Sequence, residues 1–174
     1  MNEVILGIGF NIDKRKSKID EIKNDIKESI GNIINSSSLY ETQSWGKLDN
    51  DSFWNWIWQV ETRLLPFEIL KHIFEIENKW KRIRTEKNAA RTLDIDILFY
   101  NDSVIHKQVI INNTKHQLII PHQLLHQRNF VLVPMCEILC KKKHPVFNKN
   151  MQELLEVCGD KLQVQNIGPI SFKI

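Results

Sequence analysis

The chain has 174 residues, 42 % hydrophobic and 26 % charged, a composition that excludes a disordered or fibrous protein and predicts one domain over residues 1–174 at about 150 residues per domain. The net charge of +3 is too small to announce a nucleic-acid binder, and the longest apolar run, Val4 to Phe10, is far short of the roughly 20 residues that span a bilayer. Three cysteines, Cys136, Cys140 and Cys158, do not make a disulfide framework, and no basic, then apolar, then small-residue leader opens the chain, so the expected setting is the reducing cytoplasm.

Val4 to Phe10, broken by Gly7 and Gly9, reads as a buried strand running into a turn. Ile19, Ile22, Ile26, Ile30 and Ile33 recur every three or four residues, which predicts an amphipathic helix from Ser17 to about Ile34. Phe53 to Glu61 alternates as a strand, with Trp54, Trp56, Trp58 and Val60 on one face and Phe53, Asn55, Ile57 and Gln59 on the other. Pro66 suits the first turn of a helix, continued by Ile69, Ile73, Ile76 and Trp80. Leu93 to Tyr100 is another strand, and Asn101-Asp102 a tight turn into Val104-Ile105. Residues 106–117 are polar and weakly patterned, a loop or an extended hairpin tip. Pro134 opens a short helix, Met151 to Cys158 forms another, and the tail from Leu162 reads as extended. The alternation predicts an α+β fold of ferredoxin-like type, with helices packed on a mostly antiparallel sheet.

Chemistry concentrates in one stretch. In a strand, residues two apart share a face, so Asp94 and Asp96 project together while Leu93, Ile95 and Ile97 face the core. Two carboxylates about 5 Å apart repel by about 3 kcal/mol at an effective dielectric of 20, and Asp is a poor strand residue. A divalent cation between them removes the conflict. Mg²⁺ fits best, because it accepts one or two carboxylates and takes its other ligands from water and phosphate. The alternative is a solvent-facing edge strand with incidental acids. Against it stand Lys81, Arg82, Arg84, Lys87 and Arg91, opposed only by Glu86, immediately upstream. Arginines grip phosphate oxygens bidentately, and with a carboxylate-held metal they complement a polyphosphate. Cations and carboxylates so arranged describe a nucleoside triphosphate site without a P-loop, and no G-x-x-x-x-G-K-[ST] occurs. Cys136, Cys140 and His144 could place soft metal ligands on one helical face, but their apolar neighbours favour buried structural cysteine.

Six blocks of sequence, in order, carry a resemblance. They are Gly9-Phe10-Asn11; Ser37-Ser38-Leu39-Tyr40-Glu41-Thr42; Phe53-Trp54-Asn55; Asn88 to Leu98; Pro121-His122; and Arg128-Asn129-Phe130 through Pro134. Together they resemble the 6-hydroxymethyl-7,8-dihydropterin pyrophosphokinase family of folate biosynthesis, over all but the region after about Phe147. The resemblance implies a ferredoxin-like fold and transfer of pyrophosphate from ATP to the pterin hydroxymethyl group, with release of AMP. It implies two Mg²⁺ ions on Asp94 and Asp96, and Arg82 and Arg91 on the phosphates, with Arg84 nearby. His122 and Arg128 would contact the nucleotide, and Glu77 and Ile97 would line its pocket. The pterin would sit between Phe130 and Phe53 or its neighbours, read by Asn55 and by the backbone from Thr42 through Gln43 to Trp45. The implied partners are ATP and a pterin, with no nucleic acid and no membrane, and the chain is expected to act as a monomer.

The chain departs from the family pattern in places. Phe10 replaces a serine, Gln43 a proline, and Asn88 a loop tryptophan, while the segment between Ile105 and Pro121 is longer. Two other readings use the same features. One is a metal-dependent nucleotidyltransferase, which would not release AMP from ATP in this way. The other is a ferredoxin-like RNA-binding module, which gives no reason for paired aspartates facing a phosphate ligand.

Overall fold

A computed structural model describes residues 1–11, 16–43, 52–81 and 93–170. The N-terminal apolar run forms β1 (Asn2–Phe10) at the middle of the main sheet. It pairs antiparallel with β4 (Ser52–Thr62) on one side and β5 (Leu93–Tyr100) on the other. Beyond β4 lie β2 (Asn32–Ser36) and β3 (Leu39–Gln43), both antiparallel to it, and β8 (Val164–Gly168) closes the far edge on β3. With α1 (Lys16–Ser29) and α2 (Pro66–Lys81) as crossovers, this is the expected α+β arrangement of ferredoxin-like type.

The alternation along each strand divides the core in two. Leu6, Ile8, Phe10, Trp56, Trp58, Ile95 and Ile97 meet Ile22, Ile26, Ile73 and Trp80 of α1 and α2. Asp25 joins these helices by accepting from Lys79 Nζ at 2.5 Å and Trp80 Nε1 at 2.9 Å. On the opposite face Ile5, Ile57 and Leu98 pack under α3 (Asn129–Leu139) and α4 (Met151–Glu156). Those two helices cover only part of that face, and the remainder holds Asp94, Asp96 and Asn55.

Two elements differ from the sequence reading, and in a third the hairpin alternative holds. The first helix stops at Ser29, and Asn32 to Ser36 is strand. A Cβ on Gly31 would overlap the Glu61 carbonyl oxygen, so only glycine allows this close pass from helix to sheet. Ile33 keeps the helical spacing by coincidence and packs as a strand residue. The helix expected to open at Pro134 begins five residues earlier, with Pro134 inside it, because its start is fixed by a distant partner of Asn129. Residues 105–120 form a regular hairpin, β6 (Ile105–Ile111) and β7 (Thr114–Ile120). Its turn is Asn112-Asn113, both with positive φ (50° and 61°), the conformation of a type I′ turn that asparagine tolerates. Phe10, at a position where the family has serine, turns to the core and meets Trp80 edge-on at 5.8 Å, so this departure leaves the polar face unchanged.

Candidate active site

The sheet register assembles the site. Gly9 of β1 lies between Asp94 of β5 and Asn55 of β4, and Tyr40 of β3 is next beyond Asn55. One step along, Gly7 faces Asp96, and Thr42 pairs with Phe53. Asp94 and Asp96 are half-buried on the face opposite Leu93, Ile95 and Ile97, as the strand alternation requires. A Cβ on Gly9 would stand 3.6 Å from Asn55 Oδ1 and 3.8 Å from Asp94 Cβ. The missing side chain therefore leaves a cradle between the carboxylate side and the amide side of the face.

The donor set suits a hard cation. It is two carboxylates on one strand above a floor of glycine, and among the described residues no cluster of three or more His, Cys, Asp or Glu forms an all-protein cage. Mg²⁺ prefers such a sparse site, since it keeps waters and takes phosphate oxygens.

Two residues reach this pair from the segment after β7. Asp96 and Arg128 form an ion pair, Nη1 to Oδ2 at 3.2 Å, and His122 Nε2 stands 3.7 Å from Asp96 Oδ1. Leu98 has no partner in the β1–β5 register, a β-bulge, and its carbonyl accepts the His122 N–H at 3.0 Å. Bulges re-aim neighbouring groups, and here the bulge anchors His122, which follows the cis Ile120-Pro121 bond. His122 Nδ1 accepts the Leu124 N–H at 3.2 Å, which leaves Nε2 to carry the ring proton toward Asp96. Burial pushes the His122 imidazole below its usual pKa, Asp96 opposes that shift, and the Arg128 charge adds to it.

The other expected residues take distinct places. Glu77 of α2 is buried and accepts the Ile95 N–H at 2.9 Å, so it secures the outer edge of β5. Ile97 is buried in the core against the helices, so its side chain does not join Asp94 and Asp96. Asn55 and Thr42 are buried together, with Asn55 Nδ2 donating to Thr42 Oγ1 at 2.8 Å. Phe53 and Phe130 are half-buried, and the Arg128 guanidinium lies 5.6 Å from the Phe130 ring centre, within cation–π range. Arg82, Arg84, Arg91, Trp45, Asn88 and the side chain of Gln43 lie outside the described residues.

Sequence reasoning missed two carboxylates that organise this face. Glu137 of α3 accepts the Ser38 N–H and Oγ–H, each at 2.8 Å, and the Tyr40 hydroxyl at 2.9 Å, which ties α3 to the start of β3. Burial and this acceptor push the Tyr40 phenol up to about 12. Asp160 accepts the Asn129 N–H at 2.9 Å and so fixes where α3 begins. Neither of these contacts to β3 and to Asn129 carries a local signal, since the residues they join are far apart in sequence.

Comparisons with known proteins agree with this geometry. A family profile described as 7,8-dihydro-6-hydroxymethylpterin-pyrophosphokinase matches residues 5–140. A 2-amino-4-hydroxy-6-hydroxymethyldihydropteridine pyrophosphokinase from Aquifex aeolicus is 33 % identical over 153 residues, 88 % of this chain and 90 % of that protein. Its Bacillus subtilis namesake is 33 % identical over 138 residues, covering 79 % and 78 %. The folic acid synthesis protein of Dictyostelium discoideum is 34 % identical over 148 residues, but the match is only 21 % of its length. Among solved structures, a Plasmodium falciparum HPPK-DHPS chain with pterin and p-hydroxybenzoate superposes with a TM-score of 0.72 at 21 % identity, over 89 % of this chain and 42 % of that one; at that identity the likeness concerns the fold. The profile, the relatives and the α+β sheet converge on one assignment: this chain belongs to the 7,8-dihydro-6-hydroxymethylpterin-pyrophosphokinase family.

Proposed function

We infer that the chain transfers pyrophosphate from ATP to the hydroxymethyl group of 6-hydroxymethyl-7,8-dihydropterin, releasing AMP, as a step of folate biosynthesis. The observation that carries this reading is the single face on which Asp94 and Asp96, joined by His122 and Arg128, stand across Gly9 from the Asn55–Thr42 pair. One side suits a polyphosphate and the other a flat heterocycle with donors and acceptors. In the reaction the substrate hydroxyl oxygen bonds to the β-phosphorus and gives up its proton to solvent. The bond from that phosphorus to the α–β bridging oxygen breaks, and AMP leaves with the electron pair.

Asp94 and Asp96 hold Mg²⁺ in this proposal, two ions with ATP, and the metal supplies charge neutralisation along the polyphosphate. Arg128 exchanges Asp96 for phosphate oxygens, and the Nε2–H of His122 donates to the nucleotide. Glu77 and Ile97 take part through β5, the first by holding its edge and the second through its backbone. Arg82 and Arg91, with Arg84 nearby, neutralise charge that migrates to the leaving group, so Arg91→Ala lowers kcat more than ATP affinity. Phe53 and Phe130 stack on the pterin, while Thr42 and Asn55, with the chain through Gln43 to Trp45, meet its polar edge.

The chain works as a monomer in the cytoplasm, a setting that suits its free thiols Cys136, Cys140 and Cys158. No helix among the described residues is long and apolar enough to cross a membrane. The test is one assay with ATP, Mg²⁺ and hydroxymethyldihydropterin, read by phosphorus NMR. AMP and the pterin diphosphate are expected; free pyrophosphate with a nucleotidylated product would mean nucleotidyl transfer instead. Omission of Mg²⁺ should abolish turnover.

A further inference from the structure

Between α4 and β8 the chain passes beneath the start of α3, and there Asp160 is buried with its carboxylate divided between two backbone donors. Oδ2 accepts the Asn129 N–H and Oδ1 the Leu162 N–H, each at 2.9 Å. Asn129 answers with its own side chain, Nδ2 donating to the Asp160 carbonyl at 2.5 Å. Residues 129 and 160 thus hold each other through both backbone and side chain.

Asn129 opens α3, where a backbone N–H has no partner inside the helix. A carboxylate is the favoured acceptor at this end. The neighbours of Asn129 are the two residues of α3's start that face the substrates. Arg128 is the extended residue before the helix (φ −125°, ψ 106°), and no side-chain hydrogen bond caps the helix there. Its guanidinium reaches outward to Asp96. Phe130 is held differently, because its ring packs against the core formed by α3, α4 and the sheet. Loosening the clasp therefore frees Arg128 far more than Phe130.

We propose that Asp160 is a positioning residue for the nucleotide half of the reaction: by clasping Asn129 it fixes the backbone from which Arg128 reaches the polyphosphate. This rests on the reading of Arg128 as a phosphate ligand. Asp160→Ala leaves the N–H groups of Asn129 and Leu162 without an acceptor, and the first turn of α3 can shift. A displacement near 1 Å at a reacting site costs about 100-fold in rate, and a partial effect of roughly tenfold or more is expected here.

The test is a double-mutant cycle with Arg128→Ala. It is read by turnover, by calorimetric affinity for α,β-methylene-ATP with Mg²⁺, and by pterin affinity without nucleotide. Asp160→Asn, which keeps one acceptor, takes the place of Asp160→Ala if the latter does not fold. The expected result is a loss of nucleotide affinity and kcat in the single variant, no further loss when Arg128 is already Ala, and pterin affinity within about twofold. Equal losses in both backgrounds, or a lower melting temperature with unchanged kinetics, would overturn the role of Asp160 alone. If Arg128→Ala itself leaves nucleotide affinity and kcat intact, the reading of Arg128 as a phosphate ligand falls, and the proposal falls with it.

Discussion

Arg128 Nη1 stands 3.2 Å from Asp96 Oδ2, and both side chains are more than a quarter exposed to solvent. An exposed pair of this kind is worth about 0–1 kcal/mol, so it holds the arginine beside the proposed metal site without committing it there. In the proposed reaction a polyphosphate, with more charge and more acceptor oxygens, would draw Arg128 away, and Asp96 would be left to hold the cation. Asp94→Asn and Asp96→Asn should therefore each lower kcat on the order of 1,000-fold, since metal-borne charge stabilisation is several kcal/mol and each tenfold is about 1.4 kcal/mol. Their melting temperatures should stay within about 4 °C of the parent. Near-normal turnover in either variant would remove that aspartate from the metal site.

Asn55 and Thr42 make the second prediction. Thr42→Val removes the nearer of the two acceptors of Asn55 Nδ2, leaving only the Phe53 carbonyl at 3.4 Å, and a buried N–H left without its partner costs about 1–3 kcal/mol. The amide then turns from the orientation proposed to meet the pterin. Pterin affinity should fall roughly tenfold while affinity for an ATP analogue is unchanged; calorimetry on both ligands separates the two, and an equal loss would show that the pair serves the whole face.

The same substitution at two glycines should act in opposite directions. Gly31→Ala places a methyl on the Glu61 carbonyl, and the backbone cannot yield without parting β2 from β4, so the protein should be severely destabilised. Gly9→Ala meets only ordinary contacts with Asn55 and Asp94, and an alanine within a strand is favoured over glycine by about 0.5–1 kcal/mol. Gly9→Ala should keep or raise the melting temperature yet lower turnover, because the methyl sits in the cradle. A fully active, stable Gly9→Ala enzyme would show that the cradle is not used.

His144 governs a pH dependence apart from the site. It is buried, and its Nδ1 accepts the N–H groups of Val146 at 3.2 Å and Phe147 at 3.4 Å. Burial lowers its pKa from 6.5, and nearby His126 lowers it further. The folded protein thus binds the proton less readily than the unfolded chain, so stability is complete above the ordinary value and declines as pH falls below about 6.5. His144→Asn preserves an acceptor for the same two N–H groups without titrating. Urea unfolding between pH 5 and 8 should show a flatter profile in this variant, and an unchanged slope would assign the effect elsewhere.

Local pattern determined much of this protein. The alternation of Phe53 to Glu61 and of Leu93 to Tyr100 fixed which side chains meet α1 and α2 and which point to the opposite face, because a strand's period of two leaves no other choice. Asp94 and Asp96 were legible for that reason, and the order of strands and helices indicated the sheet. Only the tertiary structure decided what crosses between distant segments. Gly31 ends α1 because of a carbonyl thirty residues away, and α3 begins before Pro134 because Asp160 accepts from Asn129. Glu137 orders Ser38 and Tyr40, and Arg128 meets Asp96 only because β5 and the start of α3 share one face. Such contacts leave no periodic trace, since hydrogen bonds between remote residues depend on where the folded backbone puts a donor and an acceptor, not on their spacing along the chain.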